Sequence, residues 1–331
     1  QKLFPEKTTF FITGSTGLVG SLLVKSILHC NKEFNTNNDV VAFVRNRNKA
    51  EEIFKDSIEN PNLIICMGDV NQEFQYDGNV DYLIHAASET KSINMIQKPI
   101  ETLWTSINGT KNALDFAHIK NVKGMVYLSS MEAFGQTDPL LKKVKEEDLG
   151  YIDITNVRSC YPESKRLNEN MCACYAQEKD LKVYSARLAQ TFGAGVSKTE
   201  NRIFAQFARS VIEESDIVLH TKGNSYGNYV YSSDALRAIF SLLKKGSAGE
   251  VYTISNETSC MRIRDMAQFV AKELAHDKIK VIFDIPENNE YGYAPDVVMH
   301  LDSSKMQQLG WKPEIGLLDS YRRLIASWEE L

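Results

Sequence analysis

Thr8-Thr9-Phe10-Phe11-Ile12-Thr13-Gly14-Ser15-Thr16-Gly17-Leu18-Val19-Gly20 is the stretch that decides the fold of this chain. Its first half is a short apolar run of strand-forming residues, and its end opens a helical pattern. The glycines therefore fall on a strand-to-helix turn, spaced G-x-x-G-x-x-G. Gly14 permits the tight turn, Gly17 lets the backbone approach a pyrophosphate, and Gly20 allows helix and strand to pack closely. The helix N-terminus then faces the phosphates, with Ser15, Thr16 and Leu18 completing the loop around them. A glycine triplet alone also describes a tight turn with no ligand. Its place after the first strand is what points to a dinucleotide.

Outward from that turn, short apolar runs alternate with helical patterns, which is the signature of parallel βαβ units. Strands are predicted over residues 8–13, 39–45, 62–67, 80–85, 124–129 and 182–188. Helices are predicted over 18–29, 99–120 and 159–178. The polar segment 136–158 reads as a loop over the sheet edge. After Gly193 the pattern changes: helices over 201–215, 232–245, 302–309 and 317–328, and short strands over 216–220, 251–255 and 281–285. The fold expected is α/β, a Rossmann-type doubly wound parallel sheet with a smaller, interleaved α+β substrate lobe. The dinucleotide-binding domain is expected over 1–193, with 228–258 returning to it. The lobe is expected over 194–227 and 259–331, above the carboxyl edge of the sheet, where open parallel sheets bind ligands.

The bulk numbers set limits. With 331 residues, 43% hydrophobic and 24% charged, the chain is long enough for one large or two modest domains with ample core. A net charge of -5 argues against nucleic-acid binding, which usually needs a basic face. Of the cysteines at 30, 66, 160, 172, 174 and 260, only Cys172 and Cys174 are close, and C-x-C is not a usual zinc spacing. No metal site is expected. Reduced thiols in a cytoplasmic setting are, with Cys172 and Cys174 as helix packing residues. There is no charged leader with an apolar core and no run near the roughly 20 apolar residues that span a bilayer, so no membrane association is expected.

The cofactor's identity turns on the exit of the second strand, Val40-Val41-Ala42-Phe43-Val44-Arg45-Asn46-Arg47. An acid for the adenosine ribose usually stands there, and none appears before Glu51. Arg45 and Arg47 suit a 2′-phosphate instead, which leans towards NADP, although two solvated arginines fit the same pattern. Asp69, with Val70 after the third strand, could hold the adenine edge or cap the local loop.

Chemistry concentrates in Tyr161-Pro162-Glu163-Ser164-Lys165. Tyr161 and Lys165 lie i,i+4 on one helical face. An ammonium beside a phenol favours phenolate, so Tyr161 can act as base in oxidation and acid in reduction. A second copy, Tyr175 and Lys179, lies on the same helix, but only Tyr161 is near the helix start and the mouth of the sheet. Ser130 leaves the fifth strand at that edge and can bond the substrate oxygen. Glu132 follows as a second base, a sugar-orienting group or a loop residue bonded to backbone. His85 reads as structural, and Ala86, Ala87 and Ser88 as a smooth wall beside the nicotinamide ribose.

Taken together these residues resemble the extended short-chain dehydrogenase/reductases, in particular the NAD-dependent epimerase/dehydratase group that acts on nucleotide sugars. The resemblance covers nearly the whole chain, from the glycine turn through Gly68-Asp69-Val70, His85-Ala86-Ala87, Gly109-Thr110, Leu128-Ser129-Ser130, Phe134-Gly135 and Tyr161 to Lys165. It continues through Arg187, Phe192-Gly193, Tyr231 with Asp234, and Leu309-Gly310-Trp311-Lys312-Pro313. It implies a dimer through helices 99–120 and 159–178, and a place in polysaccharide biosynthesis. Arg158-Ser159-Cys160-Tyr161 and Lys165-Arg166, with Glu132, look most like nucleotide-sugar acid decarboxylases. Met131 stands where the 4,6-dehydratases carry an Asp, so elimination of water lacks its usual acid. The departures fall on the substrate side. The family's Asn in N-x-x-G-T is Ser106, and the Asn after the sixth strand is Gln190. The Arg that usually grips the diphosphate is Gly227, and a late Arg is missing from Tyr291-Gly292-Tyr293-Ala294-Pro295. Ser88, Arg158, Gln190 and Arg202 are the candidate substrate contacts, with Arg209 and Lys222 as further sources of charge.

Three functions compete. One is hydride transfer on a nucleotide sugar with the hydride returned, as in epimerases, dehydratases and decarboxylases. Another is net NADPH-dependent reduction of a nucleotide-linked keto sugar or ketose to an alcohol, giving a nucleotide-linked polyol. The third is a non-enzymatic NADP(H)-sensing relative, which the presence of both Tyr161 and Lys165 disfavours.

Overall fold

A computed structural model describes residues 4, 7–286 and 296–329. In chain order the first elements are β1 (Thr9–Thr13), α1 (Leu18–Phe34), β2 (Asp39–Val44), α2 (Arg47–Ile53), β3 (Leu63–Met67) and β4 (Tyr82–His85). They continue as α3 (Ser92–Gln97), α4 (Pro99–Ile119), β5 (Gly124–Ser130), α5 (Cys160–Lys179) and β6 (Val183–Leu188). Next come β7 (Gln190–Phe192), α6 (Ile203–Ile212), β8 (Ile217–Leu219), β9 (Tyr226–Tyr231), α7 (Ser232–Lys245) and β10 (Val251–Ile254). The last are β11 (Asn256–Arg262), α8 (Ile263–Glu273), β12 (Val281–Phe283), α9 (Ser304–Gln308) and α10 (Leu317–Glu329).

The main sheet has seven parallel strands in the order β10-β6-β5-β4-β1-β2-β3. β1 is buried along its whole length, as a central parallel strand with both faces covered must be, and its near-continuous apolar run follows from that. α1 buries Gly20, Leu23, Val24, Ile27 and Leu28, a stripe at helical spacing, and ends at Asn35 in the left-handed conformation. One side of the core is an aromatic cluster in which Phe11 lies 5.4 Å from Phe43, 5.9 Å from Phe74 and 4.8 Å from Phe116. Each such ring contributes about 1.5–3 kcal/mol by leaving water.

Strand order reverses at β1, which has β2 on one side and β4 on the other. Ligands bind at such a switch point. Register sets what meets there: Thr13 lies opposite His85, and His85 opposite Tyr127. The exits of β1, β4 and β5 therefore come together at one edge.

The chain divides into two compact units. The first is 1–135, 151–187 and 236–252, and the second is 136–150, 188–235 and 253–331. These bounds differ from the expected ones in a specific way. α7 from Leu236 onward and the start of β10 return to the first unit, but β7 and β9 belong to the second. The reason is a three-stranded sheet, β11-β9-β7, that the sequence reading does not contain. Gly227 and Asn228 break the strand pattern of β9, and pairing with its neighbours restores it. The loop 136–150 belongs to the second unit through a bridge from Val144 to Leu301 and an ion pair of Lys143 with Glu257.

Candidate active site

The glycine turn is shaped as its spacing predicts. Gly14 has φ +64, and a methyl group added to it would lie 2.6 Å from the Ala87 nitrogen and 2.7 Å from the Ala86 carbonyl. L side chains rarely adopt that conformation, and none fits that space. A side chain at Gly20 would collide with the Gly14 carbonyl. The turn closes by the Gly17 N–H donating to the Gly14 carbonyl at 2.9 Å, and by the buried Ser15 hydroxyl donating to the Ile12 carbonyl at 2.6 Å. Gly17 is the N-cap of α1 and provides no side-chain cap, so the first N–H groups of the helix face outward with their positive end of the dipole. These residues fit a dinucleotide pyrophosphate, with Thr16 and Leu18 flanking it.

Thr13 ties two strand exits together. Its Oγ1 accepts from the Ala87 N–H at 3.2 Å and lies 2.8 Å from His85 Nδ1. Burial, with Lys165 nearby, pushes His85 down to about 3, so the ring is neutral at physiological pH. Its Nε2 has no partner among the described residues. His85 is a structural post, and Ala86, Ala87 and Ser88 line the exit beyond it. Arg45 is exposed between the end of β2 and Asn46, the N-cap of α2. Arg47 is instead paired with Glu51 at 2.8 Å. Asp69 accepts from the Asn71 N–H at 2.9 Å and its amide at 3.0 Å, so it closes its own turn. The Val70 carbonyl accepts from the Asn112 amide at 2.8 Å.

α5 begins one residue before Tyr161, which brings that phenol to the sheet edge. Lys165, one turn on, is 2% exposed and donates from Nζ to the Leu128 carbonyl at 2.9 Å. The Nζ sits 5.4 Å from the centre of the Tyr161 ring and 5.0 Å from that of Tyr127. Burial lowers Lys165 to about 8, partly offset by the Glu169 and Glu132 carboxylates. The lysine thus holds its proton loosely beside the phenol. Tyr175, in the second copy of the motif, donates to Asp115 at 2.6 Å, and burial together with that carboxylate raises it well above the usual phenol value.

Ser130 ends β5 and its Oγ accepts from the Glu132 N–H at 3.2 Å. Glu132 is not a free base. Its two oxygens accept from Arg158 Nη1 at 2.7 Å and Nη2 at 3.1 Å, and this bond raises Arg158. Arg166 grips the same turn from the other side, donating to the Ala133 carbonyl at 2.7 Å and the Phe134 carbonyl at 3.1 Å.

Sequence reasoning missed the support beneath these groups. Glu169 accepts from the Ser129 hydroxyl at 2.6 Å and from Arg187 at 2.7 and 2.9 Å, in a pair only 6% and 4% exposed. The signal was present: a charged Arg187 inside an apolar strand demands a partner. Asn168 donates to Ser106 Oγ at 2.9 Å and to the Tyr127 hydroxyl at 3.0 Å, so an amide on α5 meets Ser106 on α4. Cys172 is buried as expected, whereas Cys174 is exposed.

The remaining substrate candidates lie in the second unit. Gln190 opens β7, with its Oε1 buried and without a partner among the described residues. Arg202 is paired with Glu200 at 2.8 Å, and Arg209 donates to the Lys198 and Glu200 carbonyls. Lys222 is exposed. The Tyr229 hydroxyl and ring fill the space beside Gly227, so a side chain there would require that ring to move. The run 291–295 lies outside the described residues. Among those residues, no acid, cysteine and histidine cluster could hold a metal, and no helix is long and apolar enough to cross a membrane.

The profile of the NAD dependent epimerase/dehydratase family matches residues 10–255, from β1 to the end of β10. The chain belongs to that family. It is an enzyme of this family and uses NAD(P). It is similar to UDP-glucuronic acid decarboxylase 6 of Arabidopsis thaliana, with 25% identity over 96% of this chain and 88% of the relative. UDP-glucose 4-epimerase of Thermotoga maritima, solved with UDP-glucose, shares the fold at TM-score 0.80 and 18% identity, covering 98% and 99% of the two chains. RMD of Pseudomonas aeruginosa, solved with NADPH, does so at TM-score 0.75 and 21% identity, covering 98% and 99%.

Proposed function

We propose that this enzyme modifies a nucleotide-linked sugar acid, oxidising a carbinol, releasing the carboxyl group as CO2 and reducing the ketone again. The observation that carries the reading is the cluster at the carboxyl edge: Tyr161 and Lys165 beside Ser130, Glu132 and Arg158, with Met131 where water elimination would need an acid. The similarity to the UDP-glucuronic acid decarboxylase of Arabidopsis thaliana supports it.

Gly14, Ser15, Thr16, Gly17, Leu18 and Gly20 would hold the pyrophosphate of a nicotinamide dinucleotide, Ala86, Ala87 and Ser88 would line its ribose, and Lys165 would bond the ribose hydroxyls. Bound there, the cofactor supplies reversible hydride uptake at the carbinol carbon. Tyr161 takes the hydroxyl proton, with its phenolate stabilised by the Lys165 ammonium, and Ser130 donates to the same oxygen. The resulting ketone is β to the carboxylate, so the C–C bond can break with its electrons delocalised onto the ketone oxygen. A proton then returns to carbon, and Tyr161 returns its own to oxygen as the carbinol is restored. The test is incubation of the enzyme with NAD and UDP-glucuronate. CO2 with a UDP-pentose and no net NADH is the expected result, and intact UDP-glucuronate over an active cofactor site refutes it.

One observation favours a second reading, net reduction by NADPH. Arg45 is exposed at the end of β2, and Glu51, the first acid after it, is tied to Arg47. Consumption of NADPH with a nucleotide-linked ketone would establish it. The enzyme is further read as a homodimer through α4 and α5, on which Ile100 is 73% and Trp104 53% exposed one turn apart, with Leu167 also exposed. The free thiols suit a reducing compartment such as the cytoplasm.

A further inference from the structure

Two glutamate–arginine pairs have carboxylates that act on the Lys165 charge, and they differ in kind. Glu169 and Arg187 are almost wholly buried, and Glu169 also accepts from Ser129. Separating them would leave an uncompensated charge in the core, so that pair is fixed. Glu132 and Arg158 make the same two-pronged contact, but their side chains are 36% and 37% exposed. Water can solvate either partner, and separation costs little.

The backbone beneath Glu132 does not share that freedom. Ser130 Oγ holds the Glu132 N–H, and Arg166 holds the carbonyls of Ala133 and Phe134. Arg158 precedes Tyr161 by three residues, in a 3₁₀ turn whose Asn156 side chain accepts the Arg158 N–H. Only the two side chains are left to exchange partners. A guanidinium fork matches a planar carboxylate at two points, and Glu132 already shows that a carboxylate fits this fork.

We propose that Arg158 is a carboxylate receptor plugged by Glu132: the carboxylate of a sugar acid displaces Glu132 from the guanidinium, so Arg158 selects acidic over neutral sugars and Glu132 is released beside the reacting carbon. This rests on the reading of the substrate as a nucleotide-linked sugar acid. Glu132 is then both the competitor that keeps the empty site neutral and the group freed when the correct substrate arrives. The exchange is charge-neutral at Arg158, one carboxylate for another, so specificity comes from the fork geometry, which a neutral sugar cannot fill.

The test is calorimetric titration of the NAD-supplemented enzyme with UDP-glucuronate and UDP-glucose. The readout is the affinity ratio of acid to neutral sugar. In the wild type the acid binds more tightly. Arg158→Gln removes the fork and lowers the ratio about ten- to a hundredfold, the worth of a bond to a charged group. Glu132→Gln removes the internal competitor and raises the ratio about two- to fivefold, the worth of a partly exposed ion pair. Opposite signs are the signature, because a merely structural pair would lose affinity in both variants. Arg158→Lys keeps the charge without the fork and gives an intermediate ratio, which serves if Arg158→Gln does not fold. A wild type with no preference for the acid, or a Glu132→Gln variant whose ratio falls with that of Arg158→Gln, overturns the proposal. CO2 release is scored separately. Acid held through Arg158 but left intact removes decarboxylation and leaves the receptor standing, and CO2 release with unchanged ratios does the reverse.

Discussion

Lys165 carries a charge that the core penalises, and that penalty should be measurable as a pH dependence of stability. Its ordinary value is 10.5, and burial takes it down to about 8 in the folded protein. The sign follows from proton counting. Between pH 8 and 10.5 the folded lysine has lost its proton while the unfolded one keeps it, so the unfolded state binds more protons and stability rises with pH. Across the range from pH 7 to 10 this amounts to about 2.5 kcal/mol, at 1.36 kcal/mol per pH unit with rounding at both ends. Replacing Lys165 by Met removes the titration but keeps the bulk. Urea unfolding of cofactor-free wild type and Lys165→Met, both carrying Tyr161→Phe, at steps from pH 7 to pH 10, isolates the term, because the titrating groups that do not face Lys165 cancel in the difference. The wild type should gain about 2.5 kcal/mol on the mutant over that range. Parallel stability curves would refute the reasoning and mean that water reaches the ammonium and leaves it near its ordinary value.

Tyr161→Phe should lower kcat about 10²–10⁴-fold while dinucleotide binding by titration survives; more than about a tenth of wild-type turnover would remove Tyr161 from the chemistry. Tyr175→Phe should leave turnover nearly intact and cost only the bond to Asp115, about 0.5–1.5 kcal/mol in urea unfolding, and a large kcat loss would mean the wrong tyrosine was chosen. Arg45→Ala should weaken NADP about ten- to a hundredfold and leave NAD almost unchanged; equal weakening of both, or a wild type preferring NAD, would favour hydride return over net reduction. Arg187→Met should destabilise by about 3–5 kcal/mol, since it strands the Glu169 carboxylate, and adding Glu169→Gln should recover part of the loss; a near-neutral single mutant would show that water enters the network.

The strand-to-helix glycine turn was legible because its demands are local. A φ of +64 at Gly14 and the close approach of Ala86 and Ala87 admit no other residue, so the sequence must show it. Tyr161 and Lys165 were legible for the same reason, since i,i+4 spacing on a helix fixes their mutual placement. The sheet β11-β9-β7 was not legible. Its strands pair across long separations and include Gly227 and Asn228, so partners rather than propensity define them.

The partners of the charges divide along the same line. The sequence by itself determined the α/β sheet, the dinucleotide turn and the placement of Tyr161 one helical turn from Lys165, because each is written in neighbours a few residues apart. Only the tertiary structure decided that Glu132 is held by Arg158, that Glu169 is tied to Arg187, and that Arg47 is paired with Glu51 while Arg45 is exposed. A salt bridge forms between side chains whose meeting depends on where each element packs, as with Glu132 and Arg158, 26 residues apart in the chain. Composition shows that charges exist, and distance alone shows which of them are already spent on each other.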